Sequence, residues 1–328
     1  MKHARYTHRG PVPQDVIEAT PFTLPALQAG QVRVEVLAAP INPSDVLTLT
    51  GDYGSLPPLP AVGGNEGVGR VAEVAADVAG LSPGQTVLLP IGCGTWSTHL
   101  IVDAEALVPL PRGGDPHQLA MLTVNPPTAR LLLSDIVDLH PGDWVIQNAA
   151  NSAVGGYLIQ LARIRGVRTV NIVRREAAVA DVQELGANVV LVDGDDLSQR
   201  VAEATGGARP RLGIDAVGGM ATERMAQALA PGATLVNYGA MGGEPCAISP
   251  SALIFRGITL RGFWLAQWFK NTDAATRNTL FAELVGLIAA GQLKARIQQT
   301  YGIDEIKAAV AAAAAGERSG KILLLPNG

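Results

Sequence analysis

The sequence predicts a two-domain α/β protein, in which a doubly wound parallel sheet is joined to a small, partly open β-barrel. Residues 143–175 have the pattern of a strand, a tight turn, a helix and a second strand, and short apolar segments alternate with helical ones from about 124 to 265. The N-terminal third contains short strands broken by glycines. We predict a barrel domain of residues 1–123 and 266–328 and a parallel-sheet domain of residues 124–265, and 328 residues suffice for both.

The N-terminal third is predicted to be rich in strands. Residues 31–37 alternate valines with charged side chains, which indicates a half-buried strand. The turn at 42–45 is suited to open a helix with Ser44 or Asp45 as its N-cap. Further strands are predicted within 62–74 and at 86–89 and 96–102.

The central unit begins with a short apolar segment, residues 144–146, that fits a buried parallel strand. A turn of small residues leads into a helix whose apolar residues recur at helical spacing. Gly166 is placed to end this helix in the left-handed conformation, and residues 167–173 form the second strand. The result is one right-handed βαβ unit.

The turn in this unit has the spacing of a dinucleotide-binding fingerprint. Ala149, Ser152 and Gly155 stand where the fingerprint usually has glycines, so the strand–turn–helix context supports the prediction more than the motif does. The unpaired N–H groups of the first helical turn form a ready anion site. The alternative is a plain α/β crossover that binds no ligand.

Two arginines after the second strand favour NADPH over NADH. An NAD site usually has an acidic residue near this position, to hold the ribose 2′-hydroxyl. Here Arg174 and Arg175 follow the strand, and two guanidinium groups suit a 2′-phosphate. The alternative is that they are ordinary surface arginines, and the neighbouring Glu176 is an argument on that side.

The rest of the chain continues the α/β alternation. Helices are predicted at 179–185, 197–205, 222–229, 276–290 and 305–315, and strands at 189–192, 212–217, 233–238, 258–265 and 321–325. The last helices and strand are expected to return to the first domain. The strand at 259–264 is predicted to lie at the sheet edge, where an exposed apolar strand favours pairing with a second copy.

Composition and charge exclude several functional classes. The net charge is −4 without a basic run, which argues against a nucleic-acid partner. No apolar segment reaches membrane-spanning length, and two cysteines do not form a disulfide framework. The N-terminus shows neither a secretory signal nor a transit segment, so we expect a cytoplasmic protein.

Six segments together resemble one family. They are INPSDVLTLTGDYG, PAVGGNEGVGRV, TVNPPTARLLL, VIQNAANSAVG, VNYGAMGG and LRGFWLAQW. Nearly the whole chain resembles the zinc-free medium-chain dehydrogenase/reductase superfamily, and within it the trans-2-enoyl thioester reductases. This resemblance implies a GroES-like barrel domain packed on an NADPH-binding Rossmann domain, with the active site in the cleft between them.

The resemblance also implies the site residues. Tyr53 matches the proposed proton donor, and Trp264 matches a wall of the acyl pocket. Asn42 either orients cofactor or substrate or shapes its own turn, and Trp264 could alternatively pack in the core or at a dimer edge. The implied cofactor contacts are Asn125, Asn151, Ser152, Ala153, Val154, Arg174, Arg175, Tyr238, Gly239, Ala240, Met241, Phe263, Trp264, Leu265 and Lys321.

No family-type zinc centre is expected. Zinc-dependent relatives need a cysteine and a histidine where this chain has Asn42 and Asn65. Reduction of an activated C=C bond needs no metal, because hydrogen-bond donors can polarise a thioester carbonyl. A tyrosine hydroxyl such as that of Tyr53 can supply the proton.

The predicted function is NADPH-dependent reduction of the C=C bond of 2-enoyl thioesters of CoA or acyl carrier protein, by a homodimer. Two alternatives remain open. The first is an NADPH:quinone oxidoreductase or a general enone reductase. The second is a protein that binds NADPH without turnover, which the presence of Tyr53 together with an intact nicotinamide loop disfavours.

Overall fold

The computed structural model describes residues 1–316 and 318–328. The strands are β1 (Lys2–Tyr6), β2 (Ile17–Pro21), β3 (Gln31–Pro40), β4 (Ala61–Val62), β5 (Val68–Val74), β6 (Thr86–Leu88), β7 (His99–Asp103), β8 (Val108–Pro109), β9 (Trp144–Gln147), β10 (Arg168–Val173), β11 (Val189–Val192), β12 (Leu212–Asp215), β13 (Thr234–Asn237), β14 (Thr259–Gly262), β15 (Ile297–Tyr301) and β16 (Lys321–Leu324). The helices are α1 (Pro43–Thr50), α2 (Pro116–Leu119), α3 (Asn125–Ser134), α4 (Ala153–Ile164), α5 (Val179–Gln183), α6 (Leu197–Ala204), α7 (Gly219–Ala228), α8 (Pro250–Ile254), α9 (Leu265–Asn271), α10 (Ala274–Ala289) and α11 (Ile306–Ala314).

The chain divides into two compact units. Unit 1 contains Met1–Val124 and Phe281–Gly328, and unit 2 contains Asn125–Leu280. The second boundary therefore lies within α10, whereas the sequence placed it after Leu265. One reason is that α9 belongs to unit 2, where the indole N–H of Trp268 donates to Asp135 at 3.3 Å.

Unit 2 contains the predicted doubly wound sheet. Its six strands have the order β11-β10-β9-β12-β13-β14, and every pairing in it is parallel. The order reverses direction at β9, which pairs with β10 on one side and β12 on the other. In open α/β sheets, ligands bind outside the carboxyl ends of the strands at such a point.

Unit 1 contains strands that pair mainly antiparallel, as the glycine-rich sequence predicted. A seven-stranded sheet has the order β15-β16-β3-β5-β6-β8 with β7 paired to β3, and a three-stranded sheet has the order β2-β1-β4. The valines of β3 are fully buried, which confirms the alternation seen in the sequence. They join a core that includes Trp96 and the buried face of α11.

The last strand of the parallel sheet is shorter than predicted. β14 pairs with β13 only up to Gly262 opposite Asn237, because β13 itself ends there and leaves no partner further on. Trp264 is therefore not a strand residue but the N-cap of α9, and it is 44% exposed, which rules out core packing in this unit. The edge position of β14 is confirmed.

None of the helices that the structure describes combines the length and the apolar character needed to cross a bilayer.

Gly155 is the one glycine that the fingerprint retains, and its surroundings explain why. A Cβ atom at Gly155 would lie 2.6 Å from the carbonyl oxygen of Ala150, which is backbone and cannot rotate away. The next helical residue, Gly156, differs, since a Cβ atom there would meet only the flexible end of Leu185 at 3.3 Å. Close packing of α4 on the preceding turn thus requires a glycine at position 155 and does not require one at position 156.

We predict that Gly155→Ala lowers the free energy of unfolding by about 1–3 kcal/mol, the usual cost of overpacking. The matched control Gly156→Ala should stay within about 1 kcal/mol of the wild type, because alanine's better helix propensity offsets the mild contact. Urea unfolding followed by circular dichroism measures both. Equal effects of the two substitutions would contradict the packing argument.

Candidate functional site

The predicted cofactor contacts of unit 2 gather at one edge of its sheet. Parallel strands end on the same side, so the loops that follow them become neighbours. Asn151 to Val154 follow β9, Arg174 and Arg175 follow β10, Tyr238 to Met241 follow β13, and Phe263 to Leu265 follow β14. The structure therefore brings these predicted residues to a common edge.

The turn after β9 has a left-handed residue at position 149 and a close-packed glycine at position 155, the first and third positions of the fingerprint. Ala149 adopts the left-handed conformation with φ of 47°, at a cost of about 1 kcal/mol for a residue with a side chain. Ser152 is the N-cap of α4, and its hydroxyl accepts a hydrogen bond from the Gly155 N–H at 3.1 Å. The N–H groups of Ala153 and Val154 lie in the first turn of α4, where a phosphate is favoured.

The neighbouring loops differ in exposure. Just after the end of β10, Arg174 is exposed and Arg175 is half-buried. Tyr238 is partly buried; burial raises the pKa of its phenol, and a hydrogen bond with the Ser152 hydroxyl opposes that rise. Met241 and Trp264 are 54% and 44% exposed, and both could contact a ligand at this edge.

A buried carboxylate that sequence reasoning missed connects the ends of three neighbouring strands of this sheet. Asp215, the last residue of β12, is fully buried. Its Oδ1 accepts from the side-chain amide of Asn148 at 2.6 Å and from the N–H groups of Val217 and Gly218 at 2.8 and 3.1 Å. Its Oδ2 accepts from the Thr222 hydroxyl at 2.7 Å and from the side chain of Asn237 at 3.2 Å.

The effect of Asp215 is to fix the ends of β9, β12 and β13 relative to one another. The carboxamide oxygen of Asn148 completes the network by accepting from the Ala216 N–H at 2.7 Å. The signal in the sequence is an acidic residue at the end of an apolar strand, followed by glycines, but sequence alone does not show which donors surround it.

The carboxyl edge of the unit 2 sheet fits a dinucleotide. A helix N-terminus, two arginines and a rigid set of loops lie at the switch point of the sheet.

In unit 1, Tyr53 follows the C-terminus of α1. Gly51 ends this helix in the left-handed conformation with φ of 96°. The carbonyl oxygen of Leu47 accepts from the N–H groups of Gly51, Asp52 and Tyr53 at 2.9, 2.9 and 3.2 Å. The Tyr53 side chain is half-buried. Three hydrogen bonds to one carbonyl thus hold the backbone that carries the predicted proton donor.

The N-terminus of α1 contains a buried polar cluster that includes two predicted site residues. Asn42 is the N-cap of α1, and not Ser44 or Asp45, because its backbone is extended while the helix begins at Pro43. The Asn42 N–H donates to Asp45 Oδ2 at 2.7 Å, and its Nδ2 donates to Glu66 Oε1 at 2.7 Å. Its carboxamide therefore reaches across the unit to Glu66, and Asn42 also forms a capping box with Asp45 at the start of α1.

Lys321 closes the same cluster. Its ammonium group donates to the carboxamide oxygen of Asn42 and, at 3.2 Å, to the carbonyl oxygen of Ile41. Glu66 is fully buried and Lys321 is 5% exposed, so a carboxylate and an ammonium lie on the two ends of one asparagine side chain. The proposed contact of Lys321 with a cofactor stays a prediction.

Burial shifts the pKa values of all three charged groups in the cluster. Desolvation raises the pKa of Glu66 to about 7 and that of Asp45 to about 6, while the Lys321 ammonium and hydrogen bonds oppose both shifts. Desolvation lowers the pKa of Lys321 to about 8, and Glu66 opposes that shift. These groups therefore change charge within the range of pH in which most enzymes work.

Asn125, the predicted contact near the nicotinamide, is the first residue of α3 and is buried. The backbone just before it belongs to unit 1 and is held by Glu66, whose Oε2 accepts from the N–H groups of Thr123 and Val124 at 3.1 and 2.8 Å. The sequence did not indicate that Glu66 contacts this segment.

Comparison with known proteins agrees with this arrangement. Residues 28–112 match the alcohol dehydrogenase GroES-like domain, and residues 153–281 match the family described as zinc-binding dehydrogenase. The mitochondrial enoyl-acyl carrier protein reductase of Rattus norvegicus is 42% identical over 292 residues, which are 86% of this chain and 78% of the rat protein. The chain belongs to the enoyl-acyl carrier protein reductase family. The predicted membership of the medium-chain dehydrogenase/reductase superfamily and the predicted fold class are thereby confirmed.

Solved structures of this enoyl reductase type have the same fold. The complex of Etr1p with NADP and crotonyl-CoA, and the Etr1p/Etr2p heterodimer of 2-enoyl thioester reductase from Candida tropicalis, each superpose with a TM-score of 0.90 at 28% identity, covering 99% of both chains. A putative NADPH:quinone reductase from Bacillus thuringiensis superposes with a TM-score of 0.90 at 29% identity, covering 99% of this chain and 98% of that one.

The residues of this enoyl reductase homologue do not fit the zinc ion that one family description mentions. Where zinc-dependent relatives have thiolate and imidazole, the chain has the carboxamides of Asn42 and Asn65, and the Lys321 ammonium contacts the first of these. Within residues 1–316 and 318–328, no three His, Cys, Asp or Glu side chains are grouped to hold a metal ion. We therefore place no metal in the site.

The prediction of a cytoplasmic protein is contradicted by the same relatives. The curated enoyl reductases from rat, human and Arabidopsis thaliana are all named as mitochondrial proteins. The prediction rested on the lack of a targeting pattern near the N-terminus, and targeting segments are removed from mature proteins, so this pattern does not decide the compartment.

Proposed function

We propose that this protein reduces the C=C bond of 2-enoyl thioesters with NADPH as the hydride donor. The observation that carries the proposal is the sequence identity with the rat enoyl reductase over most of both chains. The complex of Etr1p with NADP and crotonyl-CoA supports the same cofactor and a CoA thioester as substrate. When bound, NADPH supplies the hydride that the β-carbon of the substrate accepts.

We assign the cofactor to the carboxyl edge of the unit 2 sheet. The first turn of α4 would hold the pyrophosphate, and Arg174 and Arg175 would hold the 2′-phosphate. The loops after β13 and β14 would lie on the nicotinamide side, together with Asn125. These assignments rest on the position of each residue after its strand and on the chemistry of its side chain.

We assign the proton to Tyr53. Reduction leaves negative charge on the thioester carbonyl oxygen, and the α-carbon must then receive a proton. A phenol can donate a hydrogen bond to the oxygen or deliver the proton, directly or through water. The three backbone hydrogen bonds to Leu47 keep the Tyr53 backbone in one position, which favours a defined orientation of the hydroxyl.

A quinone reductase is the second candidate, because the Bacillus thuringiensis protein named as a putative NADPH:quinone reductase matches this fold as well as Etr1p does. Quinone reduction would use the same cofactor site without requiring a proton donor beside an α-carbon. The role of Tyr53 therefore distinguishes the two functions.

We expect Tyr53→Phe to lower kcat for crotonyl-CoA by about a hundredfold, since a positioned proton donor typically contributes that much. NADPH oxidation would be followed with crotonyl-CoA, a simple quinone and an enone in parallel. Tyr301→Phe, a tyrosine substitution on β15, serves as the control and should match the wild type. Turnover of the quinone alone, unaffected by Tyr53→Phe, would refute both the thioester assignment and the donor role.

Replacing Arg174 and Arg175 together by alanine should lower kcat/KM for NADPH at least tenfold and leave that for NADH nearly unchanged. The reason is that charge-assisted hydrogen bonds to the 2′-phosphate, worth about 1.5–3 kcal/mol each, are lost only with NADPH. Arg168→Ala, at the opposite end of β10, is the matched control. Equal losses with both cofactors would argue against a 2′-phosphate site.

We also infer that the protein forms a homodimer through the edge of β14. The named Etr1p/Etr2p heterodimer supports association of this fold. Among the residues that the structure describes, β14 is the last strand of its sheet, and α8 just before it exposes Ile254 at 71% and Phe255, its C-cap, at 83%. Large apolar side chains beside a free strand edge favour pairing with a second copy.

Light scattering at micromolar concentration should give the mass of a dimer for the wild type. Phe255→Lys should shift the mass toward the monomer, because it places a charge in the apolar contact. Met220→Lys is the control, since Met220 is an exposed apolar residue of α7. A monomeric wild type would contradict the inference.

A further inference from the structure

We propose that Glu66 is a positioning residue of the reductase, which acts through Asn42 and through the backbone of Thr123 and Val124, with Lys321 as its fixed counter-ion. The proposal rests on the proposed function, because its importance depends on Tyr53 and Asn125 acting at the reaction centre. It assigns Glu66 no contact with substrate or cofactor.

The geometry of Glu66 gives the first argument. Its carboxylate is fully buried, yet donors from two separate segments contact it. Oε1 accepts from Asn42 Nδ2 at 2.7 Å, and Oε2 accepts from the Thr123 and Val124 N–H groups at 3.1 and 2.8 Å. Hydrogen bonds to a charged group are about twice as strong as neutral ones, so these contacts hold both segments firmly.

The two segments lead directly to predicted site residues. Val124 immediately precedes Asn125, the first residue of α3. Asn42 is the N-cap of α1, and the far end of that helix carries Tyr53 through the hydrogen bonds to Leu47. One side chain thus holds the N-cap of α1 and the backbone segment that ends just before Asn125.

The polarity of the Asn42 side chain gives the second argument. Its nitrogen faces a carboxylate, which only accepts, and its oxygen faces an ammonium, which only donates. Turning the carboxamide round would place donor against donor and acceptor against acceptor. The charges of Glu66 and Lys321 therefore select one orientation of Asn42, and each charge needs the other because both are buried.

Glutamine at position 66 cannot reproduce this network while Lys321 is present. If its oxygen accepts from Asn42, its NH₂ group opposes the N–H groups of Thr123 and Val124. If the glutamine oxygen accepts from Thr123 and Val124, the glutamine NH₂ group faces the NH₂ group of Asn42. Asn42 could then offer its oxygen to the glutamine only by turning its carboxamide round, which would direct its NH₂ group at the Lys321 ammonium. Removing the ammonium as well permits the reversal, so the effects of the two substitutions should be strongly coupled.

The experiment is a double-mutant cycle of Glu66→Gln and Lys321→Met in the full chain. We expect Glu66→Gln to lower kcat for crotonyl-CoA about ten- to a hundredfold, with a smaller change in KM, because the site is displaced rather than removed. The double mutant should recover at least tenfold in kcat over Glu66→Gln. Glu73→Gln, an exposed glutamate of unit 1 paired with Arg33, is the control and should match the wild type.

The pH profile is a readout that a merely structural role would not change. The charged groups around Glu66 are Asp45 on α1 and Lys321 on β16, and Arg318 also acts on Lys321. Because Glu66 must be ionised to accept three hydrogen bonds, wild-type kcat should rise with pH through about 7. It should fall as pH rises through about 8, where Lys321 loses its proton. The acidic limb should be lost in the double mutant.

Three outcomes would overturn the proposal. Glu66→Gln could match the wild type in kcat and in pH profile. The effects of the two substitutions could simply multiply, without coupling. Lys321→Met alone could weaken NADPH binding with no recovery in the double mutant, which would make Lys321 a cofactor contact instead of a counter-ion.

Failure of the proposed function would look different. The dissociation constant of NADPH can be measured by nicotinamide fluorescence without a substrate that accepts the hydride. It should show the same coupling between Glu66→Gln and Lys321→Met, because Glu66 holds the backbone next to Asn125. A wild type that binds NADPH but reduces no thioester refutes the function alone. If Glu66→Gln does not fold, Glu66→Asp keeps the charge but shortens the reach of the carboxylate. An unchanged kcat for that variant, or an unchanged NADPH dissociation constant if no thioester is reduced, would overturn the positioning role.

Discussion

The parallel pairing of β9 with β10 on one side and β12 on the other is the constraint on which the rest of unit 2 depends. Because the strands run in one direction, the loops that follow them meet at one edge, although they are far apart in sequence. The fully buried Asp215 at the end of β12 then fixes this edge through donors at the ends of β9 and β13 and in the loop that follows β12. The sheet supplies proximity, and this one carboxylate supplies rigidity.

Unit 1 uses a buried carboxylate in a similar way but adds a buried cation. Asp215 lies among neutral donors, whereas Glu66 shares its surroundings with Lys321 and Asp45. A buried ion pair seldom adds net stability, because desolvation offsets most of the attraction. The two opposite charges on either side of Asn42 are therefore better explained by the orientation of its carboxamide than by stability. Asn42 and Asn65 carry carboxamides, which do not bind zinc as a thiolate or an imidazole does. The carboxamide oxygen of Asn42 can therefore accept a hydrogen bond from the Lys321 ammonium.

Several elements were predictable because local chemistry decides them. The alternating valines of β3, the left-handed Gly166 at the end of α4 and the run of parallel strands all follow from short-range pattern. The end of β14 was not predictable, because it depends on where its neighbour β13 stops. Trp264 was misplaced on a strand for that reason, and Asn42 was missed as an N-cap because Ser44 and Asp45 are equally good caps by type.

The sequence by itself determined the family, the two-domain class and the chemical types at the proposed site, because motifs and periodicity are local properties of the chain. The roles of Tyr53 and of the arginines after β10 follow from the resemblance and stay proposals. Only the tertiary structure decided which polar groups meet in the interior. Glu66 contacts Asn42 and Val124 across 24 and 58 positions, and Lys321 contacts Asn42 across 279. Burial, which shifts the pKa of each charged group in that cluster, exists only once these segments have come together.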